Sequence, residues 1–337
     1  MAKKVKKEIE TGALVRFRFH WSDAYLYLIP WLIGILVFRL YPFIEAFRVS
    51  MMTQRIGQPD RFVGLDNFRA IFTGLFGQIS WLEGSFQNTA FEFLFQAQRN
   101  QTAWIFQETM GRTFRYFLIT VPLVLVVALF VAFILNFKIK GIGFFRTAFY
   151  IPSILGGSVS IALLWRQVFG NTGLINSVLG IFNINPVMWM TTPTGNMSLL
   201  VMSLLRAWQF GSVMLIFLSA LQNVPQSLYE AASIDGAKKW RQFFSVTIPI
   251  ITPTILFNTI QLLVAAFQEF NAPFLVFAQP GGPNNTALLL NVFVYQRAFE
   301  QLRFGIAGAA SWVMFICIMI LTLIVFKLSD KYVFYND

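Results

Sequence analysis

The chain has 337 residues, of which 56% are hydrophobic and only 12% charged, with 39 Phe and a net charge of +11. Soluble domains carry about 45–50% apolar and about 25% charged residues, so a water-exposed globule, a disordered chain and a collagen-like repeat are all excluded. One Cys and one His leave no internal disulfide and little material for metal ligation or His-based acid–base chemistry. In a soluble protein the cationic excess points to nucleic acid, but in a membrane protein it marks cytoplasmic loops, so no nucleic-acid partner is expected.

An all-α membrane protein follows, with six transmembrane helices, because a bilayer core takes about 20 apolar residues per helix. Residues 1–22 are expected to be a cytoplasmic N-terminal segment, and 23–337 the transmembrane domain. The first span covers 24–47, with Arg39 and Glu45 near its far end. Its apolar run is too long for a cleaved signal peptide, and no small-residue cleavage site follows, so it should stay in the mature protein.

Residues 49–113 form an external loop region. Phe, Trp and Gln crowd its second half, as in Trp81, Phe86, Phe91, Phe93, Phe95, Trp104 and Phe106. The stretch is too polar to span. Aromatic rings favour the headgroup zone, so an external subdomain or interfacial helix is expected, and a plain packing lid fits the composition equally.

The second span, 114–136, contains no charge from Phe117 to Leu135. The third, 147–168, carries Arg166, with Gly156 and Gly157 expected to serve close helix packing. The fourth, 198–221, carries Arg206 and Gln209, the fifth is 254–277 and the sixth 306–328. All ten lysines fall in four places: Lys3, Lys4, Lys6 and Lys7; Lys138 and Lys140; Lys238 and Lys239; and Lys327 and Lys331. With six spans these lie on one side, which the positive-inside rule makes cytoplasmic, together with both termini.

The cytoplasmic loop 223–252 shows helix signals. Asn223 is placed to cap, Pro225 suits a first turn, and Gln226 follows the cap by three residues. Ala231 and Ala232 give the short helix a thin face, and Gly236 permits a sharp turn. Trp240 and Phe244 share a face at i, i+4 spacing. A short helix with small side chains suits another protein's groove, and an ordinary capped connection fits the same residues.

The run Glu230-Ala231-Ala232-Ser233-Ile234-Asp235-Gly236-Ala237, followed by Ile248-Pro249, resembles the EAA loop of permease subunits in bacterial ATP-binding-cassette importers. Phe62 to Arg69, Gly143 to Pro152, Gly173 to Gly180 and Pro280-Gly281-Gly282-Pro283 resemble the carbohydrate-uptake branch. The resemblance runs from about Tyr25 onward and lapses over an aromatic-rich insertion at 77–105. It implies a heterodimer with a second related permease subunit in the cytoplasmic (inner) membrane. Two cytoplasmic ATPase subunits would drive it, and an external solute-binding protein would deliver a carbohydrate. Glu230, Ala231, Ala232, Ser233, Asp235 and Gly236 would form the coupling helix seated in an ATPase. The chain has no Gly-Lys dipeptide and so no phosphate-cradling loop of that type. No cofactor is therefore expected in this chain, and ATP and Mg would sit in the partner ATPase; the chain itself is not expected to be an enzyme.

Polar groups at membrane depth are functional candidates. Those noted for the substrate path are Arg206, Gln209, Asn258, Gln261, Gln268, Glu269 and Asn271. The spacing of Asn258, Gln261, Gln268 and Asn271 suits one helix face, either lining a sugar path or pairing between helices. Trp208 and Phe267 are candidates for stacking on sugar rings, and Arg206 with Glu269 for a buried ion pair. Cys317 and His20 carry no assigned role. The alternative is a stand-alone secondary transporter or channel for a small polar solute, for which Glu269 is the one central carboxylate.

Overall fold

The computed structural model describes residues 21–53, 60–76, 90–137, 140–191, 196–277 and 279–332. Lys3, Lys4, Lys6, Lys7, His20, Trp81, Phe86 and Lys138 lie outside them. The chain divides into two units, Met1–Arg48 and Val49–Asp337.

In the first unit, helix α1 (Trp21–Ile35) runs through a π-helical turn, Leu36–Leu40, into α2 (Tyr41–Ser50). Pro42 explains the widened turn. Proline lacks an N–H and crowds the carbonyl four residues back, here Phe38, and a wide turn relieves that clash. Glu45 and Arg48 pair one turn apart.

The second unit begins with a two-residue antiparallel ladder, β1 (Met52–Thr53) with β2 (Arg61–Phe62), and α3 (Asp66–Phe76). Asn67 fixes this corner by donating to the carbonyls of Ser50 and Met52 at 2.8 and 2.9 Å. Helix α4 (Ala90–Leu135) follows. Its 46 residues are about 69 Å long, against about 30 Å for a bilayer core, and its N-terminal half is the more polar one. Phe106 is part of that half. It is a core residue, 1% exposed, edge-on to Phe72 and Phe293, which corrects the expectation of a headgroup-facing ring. Trp104, by contrast, is exposed.

Next come α5 (Ile142–Leu155), α6 (Val159–Val168), α7 (Leu174–Ile181), α8 (Asn196–Trp208), α9 (Gly211–Gln222) and α10 (Gln226–Ile234). A helical turn, Lys239–Gln242, and a π-helical turn, Phe243–Thr247, lead past Pro249 to α11 (Thr252–Phe267). Pro249 stands to its wide turn as Pro42 does to the first. A π-helical turn at Ala272–Val276, then α12 (Leu290–Tyr295) and α13 (Phe304–Tyr332), complete the unit.

Among the described residues, three helical stretches are long and apolar enough to cross a membrane: Leu28–Ser50, Gln101–Leu135 and Phe304–Asp330. Three bent pairs raise the possible crossings to six. Ile142–Leu155 with Val159–Val168 bends by 100°, Asn196–Trp208 with Gly211–Gln222 by 50°, and Lys239–Ile250 with Thr252–Phe267 by 66°. The third and fourth expected spans are therefore broken; the third bend, at Ile251, precedes the fifth expected span, whose helix stops at Phe267 instead of reaching residue 277.

Helix α4 joins two apolar clusters. One contains Val124, Ala128, Met202, Met214 and Leu221, the other Ile71, Phe106, Leu290 and Ala310. Polar pairs lock the helices between them. Thr120 and Ser203 hydroxyls meet at 2.8 Å, Thr113 accepts from the Leu290 amide at 3.0 Å, and Trp165 donates to the Val201 carbonyl at 3.2 Å. Small hydroxyls suit membrane interiors because they bond across helices without adding bulk.

Candidate functional site: a polar cavity at three helix breaks

A broken helix leaves carbonyls and amides unpaired, and at membrane depth such backbone is tolerated only where protein buries it or a cavity hydrates it. In this fold, the breaks of two bent pairs and the C-terminal end of α11 come together. Gly156, Gly157 and Ser158 separate α5 from α6, Gln209 and Phe210 separate α8 from α9, and Gln268 ends α11. Between them lies a cavity of about 140 Å³ with a predominantly polar lining.

Each break is capped locally. Gln209 donates from Nε2 to the Gly156 carbonyl at 3.0 Å, reaching from one break to another. Glu269 accepts the Ala272 amide at 3.1 Å, which starts the π-helical turn. The Ser158 hydroxyl accepts from the Ile161 amide at 3.4 Å and caps α6. At the other end of α6, Arg166 donates to three successive carbonyls, Leu275 and Val276 at 2.8 Å and Phe277 at 2.6 Å. That guanidinium fork closes the turn that ends the fifth span.

Of the residues noted in the sequence, Arg206, Gln209, Glu269 and Asn271 line this cavity; Asn258, Gln261 and Gln268 do not. Asn258 is buried and Gln261 exposed, and the Gln268 carbonyl accepts from Asn291 at 2.7 Å. The shared face fails because Gln268, at φ −91° and ψ 6°, leaves the helix, so Asn271 belongs to a different element from Asn258. Phe267 is fully buried, with its ring 5.3 Å edge-on to Phe114, and has no face left for a sugar. Trp208 is half-buried and tilted against Trp165 at 5.8 Å. Arg206 and Glu269 share the cavity without an ion pair. Arg206 instead donates to Gln209 at 3.5 Å.

Gly156 and Gly157 serve the cavity as well as packing. A methyl at Gly156 would sit 2.4 Å from the Gln209 Cδ, whereas one at Gly157 would meet only Asn271 Nδ2, at 3.9 Å. Tyr116 and Ser153 also line the cavity, and nothing in an apolar run of sequence distinguishes a cavity-facing Tyr from a core one.

The second candidate surface is α10 and the turn after it. Pro225, not Asn223, sits at the helix N-cap; Asn223 ends α9 instead. Glu230, Ala231, Ser233 and Asp235 are exposed and Ala232 is half-buried. Gly236 has φ +72°, the left-handed conformation that ends helices, and the Ala237 amide closes on the Ala232 carbonyl at 2.9 Å. Gln242, 3% exposed, braces the turn from below with bonds to the Ser233 hydroxyl at 2.8 Å and the Ala237 carbonyl at 3.0 Å. The Tyr229 and Thr247 hydroxyls meet at 2.8 Å. On this rigid base, Ile234 is 87% exposed and Trp240 75%, with the Trp240 ring edge-on to Phe244 at 4.8 Å. Large apolar side chains held in the open by a braced backbone make this a candidate contact surface.

Residues 108–334 match the family described as binding-protein-dependent transport system inner membrane component. A probable ABC transporter permease protein YesP of Bacillus subtilis is 38% identical over 314 residues, 93% of this chain and 92% of that one. The arabinooligosaccharides transport system permease protein AraP of the same organism is 30% identical over 312 residues, 91% of this chain and 88% of its own. Among solved structures, a bacterial alginate ABC transporter, in complex with a periplasmic protein holding an alginate pentasaccharide, has a chain of similar fold. The TM-score is 0.69 at 20% identity, covering 91% of this chain and 94% of that one.

Proposed function

Since this chain belongs to the binding-protein-dependent transport inner membrane component family, we propose that it is the transmembrane subunit of an ATP-driven importer, forming half the path for a sugar or oligosaccharide. An external solute-binding protein hands over the solute, a second related permease completes the path, and two cytoplasmic ATPases, holding ATP and Mg, supply the energy.

The observation that supports this best is the meeting of three helix breaks at one polar cavity. Amide, guanidinium and carboxylate groups at Gln209, Asn271, Arg206 and Glu269 match the donors and acceptors of sugar hydroxyls. Small-molecule sites measure roughly 300–1,000 Å³, so a cavity of about 140 Å³ is a closed form that must widen to pass a sugar. Breaks are where a span can hinge, and Gly156 and Gly157 place two glycines at the sharpest one.

Energy enters through α10. ATP closes the ATPase pair, the exposed helix moves with it, and rigid-body motion opens the cavity outward; hydrolysis resets it. The lysine distribution supports a cytoplasmic side for α10 and both termini. The test is the complex purified from its native membrane and reconstituted in vesicles. Uptake that needs ATP inside and binding protein outside is expected. Uptake by this chain alone, driven by an ion gradient, would support the carrier alternative and overturn the importer reading.

A further inference from the structure

Two segments are fastened to the last turn of α4, where that helix ends a stretch long and apolar enough to cross a membrane. In one, the Phe243 ring meets Phe133 edge-on at 4.9 Å, and Phe133 in turn meets Phe137 at 5.3 Å. In the other, Arg146 of α5 donates to the Leu135 carbonyl at 3.2 Å. Both segments hold aromatic rings in the open. Trp240 and Phe244 are exposed one helical turn apart, and Phe144 and Phe145 are exposed at the start of α5. Both also carry exposed cations, Lys238, Lys239 and Arg241 around Trp240, and Lys140 just before α5. Between Glu108 and Glu269 the sequence has two acids, Glu230 and Asp235, which belong to α10 and its C-cap. Residues 137–149 and 236–252 therefore bring rings and cations to the end of a span with no acid of their own.

Exposed lysines suit water and exposed rings do not, but the two together suit a membrane surface that carries negative charge. Aromatic rings settle at headgroup depth, and basic side chains beside the end of a span are drawn to anionic lipid. We propose that this rim is a docking surface for anionic phospholipid of the cytoplasmic leaflet, with Trp240, Phe244 and Phe144 among the headgroups and Lys140, Lys238, Lys239 and Arg241 on the phosphates. The two acids are thereby left to α10, so the loop presents an acidic helix to protein and a basic aromatic turn to lipid. Gln242 joins the two, with its bonds to the Ser233 hydroxyl and the Ala237 carbonyl, so lipid that holds the turn also fixes the base from which α10 projects. The choice of leaflet rests on the same lysine distribution as the importer reading. The lipid contact itself requires neither ATP nor a solute.

The experiment places the complex purified from its native membrane in nanodiscs that contain either photoactivatable phosphatidylglycerol or photoactivatable phosphatidylcholine, and maps the adducts by mass spectrometry. Phosphatidylglycerol adducts concentrated at residues 140–145 and 238–244, with few from phosphatidylcholine, are expected. Lys238→Gln, Lys239→Gln and Arg241→Gln together should lower the phosphatidylglycerol adducts at 238–244 by roughly tenfold or more, since each basic side chain adds to the attraction. Arg241→Gln alone, at an exposed position, should lower them in part if the triple variant does not assemble. Equal labelling by the two lipids, or unchanged phosphatidylglycerol labelling in an assembled charge variant, would overturn the proposal. So would cross-linking of Trp240 to the ATPase or the second permease in place of lipid, which makes the rim a protein contact. Labelling is read without ATP, binding protein or solute, so it can fail while the importer reading stands and hold while that reading falls.

Discussion

The side-chain amide of Gln209 donates to the Gly156 carbonyl at 3.0 Å, so the break in one bent span is capped from the break in another. The contact exists because residue 156 has no Cβ. The two positions should therefore be coupled. Gly156→Ala displaces Gln209 and leaves the carbonyl without its donor, a cost of about 1–3 kcal/mol. Gln209→Ala removes the clash along with the donor. The double variant should therefore be less damaged than the sum of the single ones, in thermal unfolding of the purified complex.

Gly211 is a firmer constraint. A Cβ there would lie 2.9 Å from the Phe149 carbonyl oxygen, the Tyr150 Cα and the Ser153 hydroxyl, and two of these atoms are backbone. Gly211→Ala should push α9 off α5 and destabilise by about 1–3 kcal/mol, as overpacking does. The measurement is the yield of assembled complex and its melting temperature, with Gly143→Ala, which meets open space, as the comparison for bulk alone.

Arg166 holds three carbonyls at once, with Nε and Nη2. Lysine keeps the charge but lacks the planar fork. Arg166→Lys should therefore lose most of what Arg166→Ala loses, roughly 1.5–3 kcal/mol. Protease susceptibility at residues 272–277 reads the effect. Equal stability of Arg166→Lys and the parent chain would show that charge alone matters there.

Much of the fold was legible in the sequence because hydropathy reports it directly. The charge-free run from Phe117 to Leu135 became the apolar end of α4, and the stretch from residue 306 became α13. The EAA-like residues became an exposed short helix closed by Gly236 with positive φ, as its place in the motif suggested. The breaks were not legible. Hydropathy continues through Gln268 to Phe277, so one span was read where the chain has a helix, a cap and a π-helical turn. Three of the seven polar candidates fell away from the cavity. Spacing assigns faces only within a continuous helix, and Asn258 and Asn271 do not share one. Tyr116 and Arg166 show the complementary limit: one looks like core and the other like a stray charge until the partner elements are in place.

The most direct test of the central claim, that energy enters through α10, is ATPase activity of the reconstituted complex with and without binding protein and solute. Ile234 is 87% exposed and meets solvent in this chain, so Ile234→Asp should leave insertion and melting unchanged. Gly236→Val should strain a residue at φ +72°, while Ser233→Ala leaves Gln242 its second acceptor, the Ala237 carbonyl. The account predicts that Ile234→Asp and Gly236→Val lose stimulation, or lose the ATPase on purification, while Ser233→Ala keeps both. Full stimulation in a well-inserted Ile234→Asp complex would contradict it.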